Sequence, residues 1–214
     1  MQQMFILGFL SALLLTLGPV TPVAATPSGF LPPLRLIQSA RFEHAFTEGG
    51  QVVLVGQGFK ESRERIYLVL RNLSGPFAGR TRELVLYDRV AYLRVNDDPE
   101  WQIVDPRTVT ALIPTADLLL LFDGPISRLD NTVVGGTSVE HYQIWGDGVI
   151  SNAAQVDFVK VDFFVGPQNR YLYQLQLTST AADVSGGTRE RGTTVRFFDH
   201  NDPSLIVRPP QIDQ

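Results

Sequence analysis

The sequence predicts a mainly β protein in which antiparallel strands are joined by tight turns around one small helical insert. Three observations support this fold class. Most segments after residue 40 alternate apolar and polar residues with the period of a strand. Turn residues recur at short intervals, and GPQNR between two strands is a clear hairpin signal. Only PTADLLLLFDGPISRLDN, in the middle of the chain, has the composition of a helix.

The first 25 residues have the features of a signal peptide. An apolar run over residues 4–17 is followed by the small residues Val23-Ala24-Ala25, which suit cleavage before Thr26. The run is shorter than the roughly 20 residues that cross a bilayer. Because no Lys or Arg precedes it, an uncleaved anchor or a start codon chosen too late stay open as alternatives. The predicted organisation is therefore a signal peptide over 1–25, a Pro-rich segment over 26–40 and one domain over 41–210.

Composition excludes several classes of function. The formal net charge of −4, with scattered Arg, gives no basic footprint for nucleic acid and no polybasic patch for anionic lipid. The chain has no cysteine. It therefore has no disulfide, no thiolate nucleophile, no cysteine-based metal site and no lipid anchor through cysteine, and an exported form must be stabilised by its core alone.

The predicted strands are recognised by their alternation. In Arg65–Leu70, for example, Ile66, Leu68 and Leu70 share one face, and Tyr67 lies on the other. The other predicted strands are Arg41–Phe46, Gln51–Gln57, Glu83–Tyr87, Val90–Val95, Trp101–Val104, Ser138–Trp145, Gln155–Val165, Arg170–Thr180, Arg191–Asp199 and Leu205–Val207.

The helical insert has an N-cap residue, Thr115, an acid in the first turn, Asp117, and the apolar block Leu118–Phe122. Gly124-Pro125 should break it into two short pieces. Two later strands, FVKVDFFV and YLYQLQL, are apolar on both faces. A single sheet with one face in water does not need that, so either two layers pack together or a curved sheet encloses something apolar.

The most conspicuous candidate for chemistry is SVEHYQIWGDG, which brings together one of three histidines and one of two tryptophans. On a strand, His141 and Tyr142 point to opposite faces and cannot form one local site. No nucleophile motif such as G-x-S-x-G or Ser-x-x-Lys is present. We therefore interpret His141 as a structural or cavity-lining residue, and no catalytic residue is predicted.

Two acidic clusters have equally plain interpretations. FFDHNDP contains Asp199, His200, Asn201 and Asp202, without the ligand spacing of a calcium or zinc site, and is typical of a strand end followed by a turn. VNDDPEW is better explained as a hairpin connection than as a catalytic pair. The Gly pairs lack the Lys-Ser/Thr of a phosphate loop. No metal site and no cofactor is predicted.

The order of motifs resembles that of the LolA/LppX/LprG-like lipoprotein and lipid-carrier family. RELVLYDRVAYLRVNDDPEWQIVD is similar to that family's paired strands, in which a Tyr precedes an acidic turn and a Trp; here these are Tyr92 and Trp101. PTADLLLLFDG resembles the family's helix. The strand VVGGTSVEHYQIW then carries its Gly and His-Tyr as Gly136, His141 and Tyr142.

The resemblance continues to the end of the chain and covers roughly residues 40–210. VDFFVGPQNRYLYQLQLT is similar to the family's aromatic hairpin, with Phe164 at the aromatic position. The closing segment VRFFDHNDPSLIVRPP carries the last motif at Phe198, Asn201, Pro203, Ile206 and Pro209.

The resemblance implies a strongly curved antiparallel sheet, a half β-barrel, with a short helical plug on its concave side. Between them an apolar cavity would carry lipids or acylated ligands outside the cytoplasm of a bacterium, in the periplasm, the cell envelope or the medium. Transient contact with a membrane or a lipoprotein is an implied partner interaction. The His-Tyr pair would then mark a strand of the fold rather than an active site.

The residues predicted to line the cavity come from two places. Some belong to the Leu-rich insert, which would act as plug or lid, and the others lie on one face of several strands. Since a register slip of one residue exchanges the two faces, the inward face is an expectation that only a structure tests. The candidate ligand-binding residues are Ile66, Leu68, Leu70, Leu84, Leu86, Leu118, Leu121, Phe122, Tyr173, Leu175 and Leu177.

Three functions stay open at this point. The leading hypothesis is an exported, non-catalytic carrier or binder of lipids. The second is a structural, interaction or sensor module of the cell envelope, with the same sheet around a filled core. The third is a hydrolase using Asp199 and His200, which would need a convergent nucleophile.

Overall fold

The computed structural model describes residues 26–27, 34–96, 98–107, 126–146, 156–182 and 187–211. Regular structure in these ranges is β-strand, apart from a helical conformation at residues 106 and 107, directly before residue 108. The strands of the described part are β1 (Thr26–Pro27), β2 (Ala40–Glu48), β3 (Gln51–Lys60), β4 (Arg65–Asn72), β5 (Thr81–Tyr87), β6 (Val90–Val95), β7 (Gln102–Val104), β8 (Ile126–Arg128), β9 (Thr132–Val134), β10 (Thr137–Gly146), β11 (Val156–Val165), β12 (Leu172–Ala182) and β13 (Thr188–Phe198).

These strands form one open, curved antiparallel sheet, a half barrel, in the order β1-β8-β10-β11-β12-β13-β2-β3-β4-β5-β6-β7, with β9 paired to β10. The strands from β2 to β7 are neighbours in sequence and in space, as are those from β10 to β13. The two halves meet where β13 pairs with β2, from Arg191 opposite Glu48 to Phe198 opposite Arg41. The predicted fold class is confirmed, and of the two explanations for strands that are apolar on both faces, the curved sheet is correct.

One face of the sheet, called the inner face below, carries a single large apolar cluster. Partners in an antiparallel ladder point their side chains to the same side, so each row of partners across the sheet shares a face. The row that crosses the middle of the sheet, called the central row, consists of Arg128, Tyr142, Phe163, Leu175, Val195, His44, Gly56, Leu70, Arg82 and Val95.

The alternation of β4 shows why these residues form a strand of this sheet. Ile66, Leu68 and Leu70 are buried in the inner cluster. On the outer face the hydroxyl of Tyr67 donates to Glu83 of β5 at 2.8 Å, and Glu83 also pairs with Arg94 of β6. Apolar residues therefore point to one side and a ladder of polar contacts covers the other.

Some expectations about secondary structure are corrected. Leu205–Val207 is not a strand, although Leu205 and Val207 are buried, because the Val207 amide donates to the Glu61 carboxylate at 2.9 Å rather than to a neighbouring strand. The short strands β8 and β9 were not expected from the sequence. Gly135 and Gly136 form the turn that joins β9 to β10.

FFDHNDP is a turn, as predicted, and the described residues of VNDDPEW also lie in a turn between strands. VNDDPEW connects β6 to the edge strand β7, and FFDHNDP ends β13 with Asp199 and Asn201 in the left-handed region, at φ 50° and 59°. The helix expected after Thr115 and the signal peptide over 1–25 lie outside the described residues. Among the helices of the described part, none is long and apolar enough to cross a membrane.

The packing of the inner face across β3 leads to a first prediction. Gly58 lies beside Phe42 and Leu68, and a Cβ atom on it would stand 2.1 Å from the Tyr67 carbonyl oxygen and 2.9 Å from the ring of Phe42. The substitution Gly58→Ala should therefore lower the free energy of unfolding by about 1–3 kcal/mol or more through overpacking. Urea unfolding of both proteins measures the difference.

Gly187→Ala is the matched control, because nothing lies within 4 Å of an added Cβ at that position and its φ is not positive. It should leave the unfolding free energy unchanged or slightly higher. Equal stabilities for the two variants would contradict the close packing of β3 against β2 and β4.

Candidate ligand-binding face

The structure brings most of the predicted cavity-lining residues together on the inner face. Six of them are almost fully buried in the inner cluster, and Leu177 is half-buried and packs against it. The register of the sheet, which the sequence left open, is therefore the one that turns these side chains inward. Their role in ligand binding stays a prediction. The six buried residues are Ile66, Leu68, Leu70, Leu84, Leu86 and Leu175.

Tyr173 does not share the inner face with Leu175 and Leu177, the residues with which it was expected to line the cavity. A β-bulge between β11 and β12 lets Phe164 pair with Gln174 and Val165 with Leu172, so that Tyr173 leaves the alternation. Tyr173 packs instead against a second cluster of Val134, Val139 and Phe164, and its hydroxyl accepts a bond from Asn169. The remaining candidates, Leu118, Leu121 and Phe122, lie outside the described residues.

On β12, β13 and β2, burial of the inner face decreases toward one end of the strands. In the central row Leu175 and Val195 are almost completely buried. One row further along, Leu177, Thr193 and Phe46 are only half-buried, whereas Val161 of β11, in the same row, is completely buried. The inner face thus has a closed end around Phe42 and a partly open end that is confined to β12, β13 and β2 beyond the central row.

His44 is a polar residue at the boundary between these two ends. It follows Ala40 and Phe42 on the inward side of β2, lies opposite Val195 of β13 and Gly56 of β3, and is 7% exposed. Both ring nitrogens are buried, and neither has a hydrogen-bond partner among the described residues. Loss of solvation lowers the pKa of His44 to about 4, so the imidazole is neutral near neutral pH.

Sequence reasoning did not single out His44. The signal was present, because His44 occupies the third inward position of a strand whose first two are Ala40 and Phe42. A histidine in such a position is ordinarily satisfied by a neighbour on an adjacent strand. Only the register shows that its neighbours here are a valine and a glycine.

His141, in contrast, belongs to the outer face and has a hydrogen-bond partner and a stacking partner there. Its ring stacks on Phe164 at 4.4 Å between centroids, and its Nε2 lies 2.8 Å from Asp162. Asp162 is buried and also accepts bonds from Gln143, at 2.7 Å, and Lys160, at 3.0 Å. Burial raises the pKa of the Asp162 carboxyl, but the bonds from His141 and Gln143 and the charge of Lys160 outweigh burial and hold it below its usual range. The structural interpretation of His141 fits these contacts.

Glu140, Arg128, Arg170 and Tyr142 form an ionic cluster at one end of the inner face. Arg128 donates to the Glu140 carboxylate at 2.9 Å, as does the hydroxyl of Tyr142, and Arg170 pairs with the same group. Burial raises the pKa of Glu140, but these donors together hold it below its usual range. Unlike His44, this buried acid has its hydrogen-bonding capacity satisfied.

Asp199 and His200, the residues of the hydrolase hypothesis, have separate structural partners. Asp199 pairs with Arg41 at 3.2 Å. The Nε2 atom of His200 lies 3.1 Å from the Leu172 carbonyl oxygen, and its ring stacks on Tyr171 at 5.2 Å. Both side chains thus fasten the end of β13 to neighbouring segments.

The unpartnered imidazole gives the protein a specific dependence of stability on pH. Because the pKa of His44 is about 4 in the folded state and about 6.5 when unfolded, the unfolded state binds the proton first as pH falls. The stability that neutral His44 permits is complete above pH 6.5 and is lost between about pH 6.5 and pH 4. The loss should reach about 3 kcal/mol.

Unfolding free energies of the wild type and of His44→Leu, measured by urea titration across this range, test the prediction. The difference between the two curves should grow steadily as pH falls from 6.5 to 4 and then level off. Acid titration of Glu140 and Asp162 affects both proteins and cancels. Parallel curves would show that His44 does not titrate as a buried group.

The ionic cluster leads to a third prediction. Glu140→Ala removes the acceptor that Arg170 and Tyr142 share and should lower the unfolding free energy by about 1–3 kcal/mol. Glu64→Ala is the matched control, since Glu64 pairs with Arg89 in an exposed contact worth less than about 1 kcal/mol. Chemical denaturation of both variants measures the two losses of unfolding free energy. If Glu140→Ala loses no more than Glu64→Ala, the cluster has no structural role.

Comparison with solved structures places this geometry in a known fold. The structure of the Mycobacterium tuberculosis lipoprotein LppX matches with a TM-score of 0.54 and 11% identity, over 80% of this chain and 90% of that chain. LprF from Mycobacterium bovis matches with a TM-score of 0.51 and 7% identity, over 82% and 90%. No protein-family model and no curated protein sequence matches the chain. The chain therefore has the LppX/LprF-like fold that its motif order had suggested.

Proposed function

We propose that the protein is an exported, non-catalytic carrier or binder of lipids or other acylated, hydrophobic ligands. The ligand would lie on the inner face, at its partly open end, and the Leu-rich segment around Leu118–Phe122 would cover it as plug or lid. The observation that carries the proposal is the inner face itself. Its apolar cluster has members on strands from β8 to β7, and the face is left half-buried at one end of β12, β13 and β2.

The driving force would be removal of acyl surface from water. Burial of apolar area contributes about 25 cal/mol per Å², or roughly 0.8 kcal/mol for each methylene group. A long acyl chain laid across several strands can therefore reach useful affinity with few specific contacts. Leu54 and Leu177, half-buried residues that pack against the inner cluster, offer such a surface.

The fold, the N-terminal segment and the absence of cysteine are consistent with this proposal. The solved structure with the higher TM-score is described as a lipoprotein, and the motif resemblance implies lipid carriage. The first 25 residues would direct export from a bacterium. Without cysteine, the mature protein would not be lipid-anchored through that residue and would act in the periplasm, the cell envelope or the medium.

A second candidate function is an interaction or sensor module of the cell envelope with a filled core. The observation that favours it is the closed end of the inner face, where Phe42, Leu68 and Leu84 are already fully buried by other side chains. A sheet filled in this way along its whole length would have no room for an acyl chain.

Native mass spectrometry of residues 26–214, purified from a lipid-containing host, separates the two. A lipid adduct at near-stoichiometric occupancy, identified after organic extraction, is the expected result. A clean apo mass, together with no uptake of fluorescent fatty acids, would refute the carrier and favour the interaction module.

A matched pair of variants locates the ligand. Leu177→Glu puts a charge at the open end of the inner face in a half-buried position that folding should tolerate, and it should abolish the adduct. Val133→Glu changes a residue that is 66% exposed on β9 and should keep the adduct. If Leu177→Glu is folded by circular dichroism and still carries lipid, this part of the inner face is not the binding surface.

A further inference from the structure

His44 combines three properties that a purely structural residue would not need. It lies in the central row, at the point where the closed end of the inner face meets the open end. Its side chain is 7% exposed, and both ring nitrogens are buried without a partner among the described residues. Buried polar groups are nearly always hydrogen-bonded, and an exception of this kind requires an explanation.

The described residues of the neighbouring strands make no hydrogen bond with the His44 ring. The inward residues of β13 beside it are Val195, Phe197 and Thr193, whose hydroxyl lies in the adjacent row and does not bond the imidazole, and opposite it on β3 is Gly56. The space above Gly56 is taken by Leu70, whose Cδ2 atom would stand 2.6 Å from a Cβ at that position. The polar atom that satisfies the imidazole therefore has to come from outside this part of the sheet.

The position is also a poor choice for stability alone. Leaving a buried donor or acceptor unpaired costs about 1–3 kcal/mol, and an apolar side chain of similar size would avoid that cost. Residues that reduce stability in an otherwise consistent core are expected at functional sites.

We propose that His44 is the polar contact for the ligand of the inner face, and that it binds an uncharged oxygen, a hydroxyl or ester group, of a lipid whose acyl chain lies on the open end. The inference rests on the proposed function and adds the ligand's chemistry to it. A neutral imidazole has one N–H donor and one acceptor nitrogen, which together match a hydroxyl, and its donor alone matches an ester carbonyl.

The same surroundings disfavour an ionised headgroup at this point. No Lys or Arg occupies an inward position of β2, β13 or β3 within one row of His44, and the nearest cation of the central row, Arg82 of β5, is separated from it by Gly56 and Leu70. A carboxylate brought to it would lose its hydration without gaining a counter-charge. Specificity at His44 is therefore for neutral, oxygen-bearing lipids over free fatty acid anions.

Three fluorescent probes test this by direct titration near neutral pH: the methyl ester of parinaric acid, parinaric acid itself, and diphenylhexatriene, which has no oxygen. The wild type should bind the ester more tightly than the acid. His44→Leu should weaken ester binding about threefold to tenfold, the worth of one hydrogen bond, and should leave diphenylhexatriene binding unchanged or tighter. His44→Gln, which keeps a donor and an acceptor, should restore much of the ester affinity.

Thr194→Val is the matched control, because it removes a hydroxyl from the outer face of β13, next to Val195 in sequence. It should leave ester binding unchanged. Equal losses in Thr194→Val and His44→Leu, no loss in either, or tighter binding of the acid than of the ester would each overturn the role of His44. If the wild type binds diphenylhexatriene but the ester is insensitive to His44, only this inference fails; if no probe binds, the carrier function fails with it.

Nitrogen NMR of the wild type gives a readout that does not depend on how a variant folds. The chain has only three histidines, and His141 and His200 already have partners in the fold. Addition of the ester probe should shift the ring nitrogens of His44 and leave the other two rings in place. An unmoved His44 signal at saturating probe would refute the contact.

Discussion

The pairing of β13 with β2 is the constraint on which the rest of the structure depends. It joins strands about 150 residues apart in sequence and turns two local meanders into one sheet. Phe42 packs on Phe197 across the inner side of this seam, and Glu43 pairs with Arg196 at 2.7 Å across the outer side. Without the seam, neither half would cover the other, and the inner cluster would become two exposed apolar faces. Because paired residues share a face, the register of this pair makes the inward residues of both halves point to the same side of the sheet.

The same register also determines which polar residues end up inside, and the structure treats them in two ways. Glu140 meets Arg128, Arg170 and Tyr142, so that a buried charge is paired and bonded. His44 meets Val195 and Gly56 and is left alone. A fold that satisfies a buried carboxylate with three donors has the means to satisfy an imidazole. The contrast is consistent with the proposed role of His44, because its two ring nitrogens stay available to a ligand.

The sequence was a good guide where strands obey simple alternation and a poor one where they do not. In β4 and β5 the residues expected to share one face do so and are buried, because Ile66, Leu68 and Leu84 belong to strands that alternate without interruption. The bulge at Tyr173 could not be seen, since nothing in YLYQLQL marks an extra residue. His44 was missed for another reason: whether a buried histidine is satisfied depends on its cross-strand neighbours, and these come from segments that the chain places 12 and 151 positions away. The LppX-like motif order predicted the fold, but it does not indicate whether a buried side chain has a hydrogen-bond partner.

An apolar face alone gives a ligand affinity, but it does not fix where along the sheet the ligand lies. Burial energy scales with area, so an acyl chain that slides along the sheet by one methylene group loses almost nothing. One polar contact at a fixed row changes this, because the oxygen of the ligand then has a single place at which it is bonded. An uncharged contact has a further advantage for a carrier. It costs little to break, since a neutral hydrogen bond contributes only about 0.5–1.5 kcal/mol net, whereas a buried ion pair is costly to separate. His44, held neutral by its apolar surroundings at the boundary of the closed and open ends, has the properties to orient a lipid without trapping it.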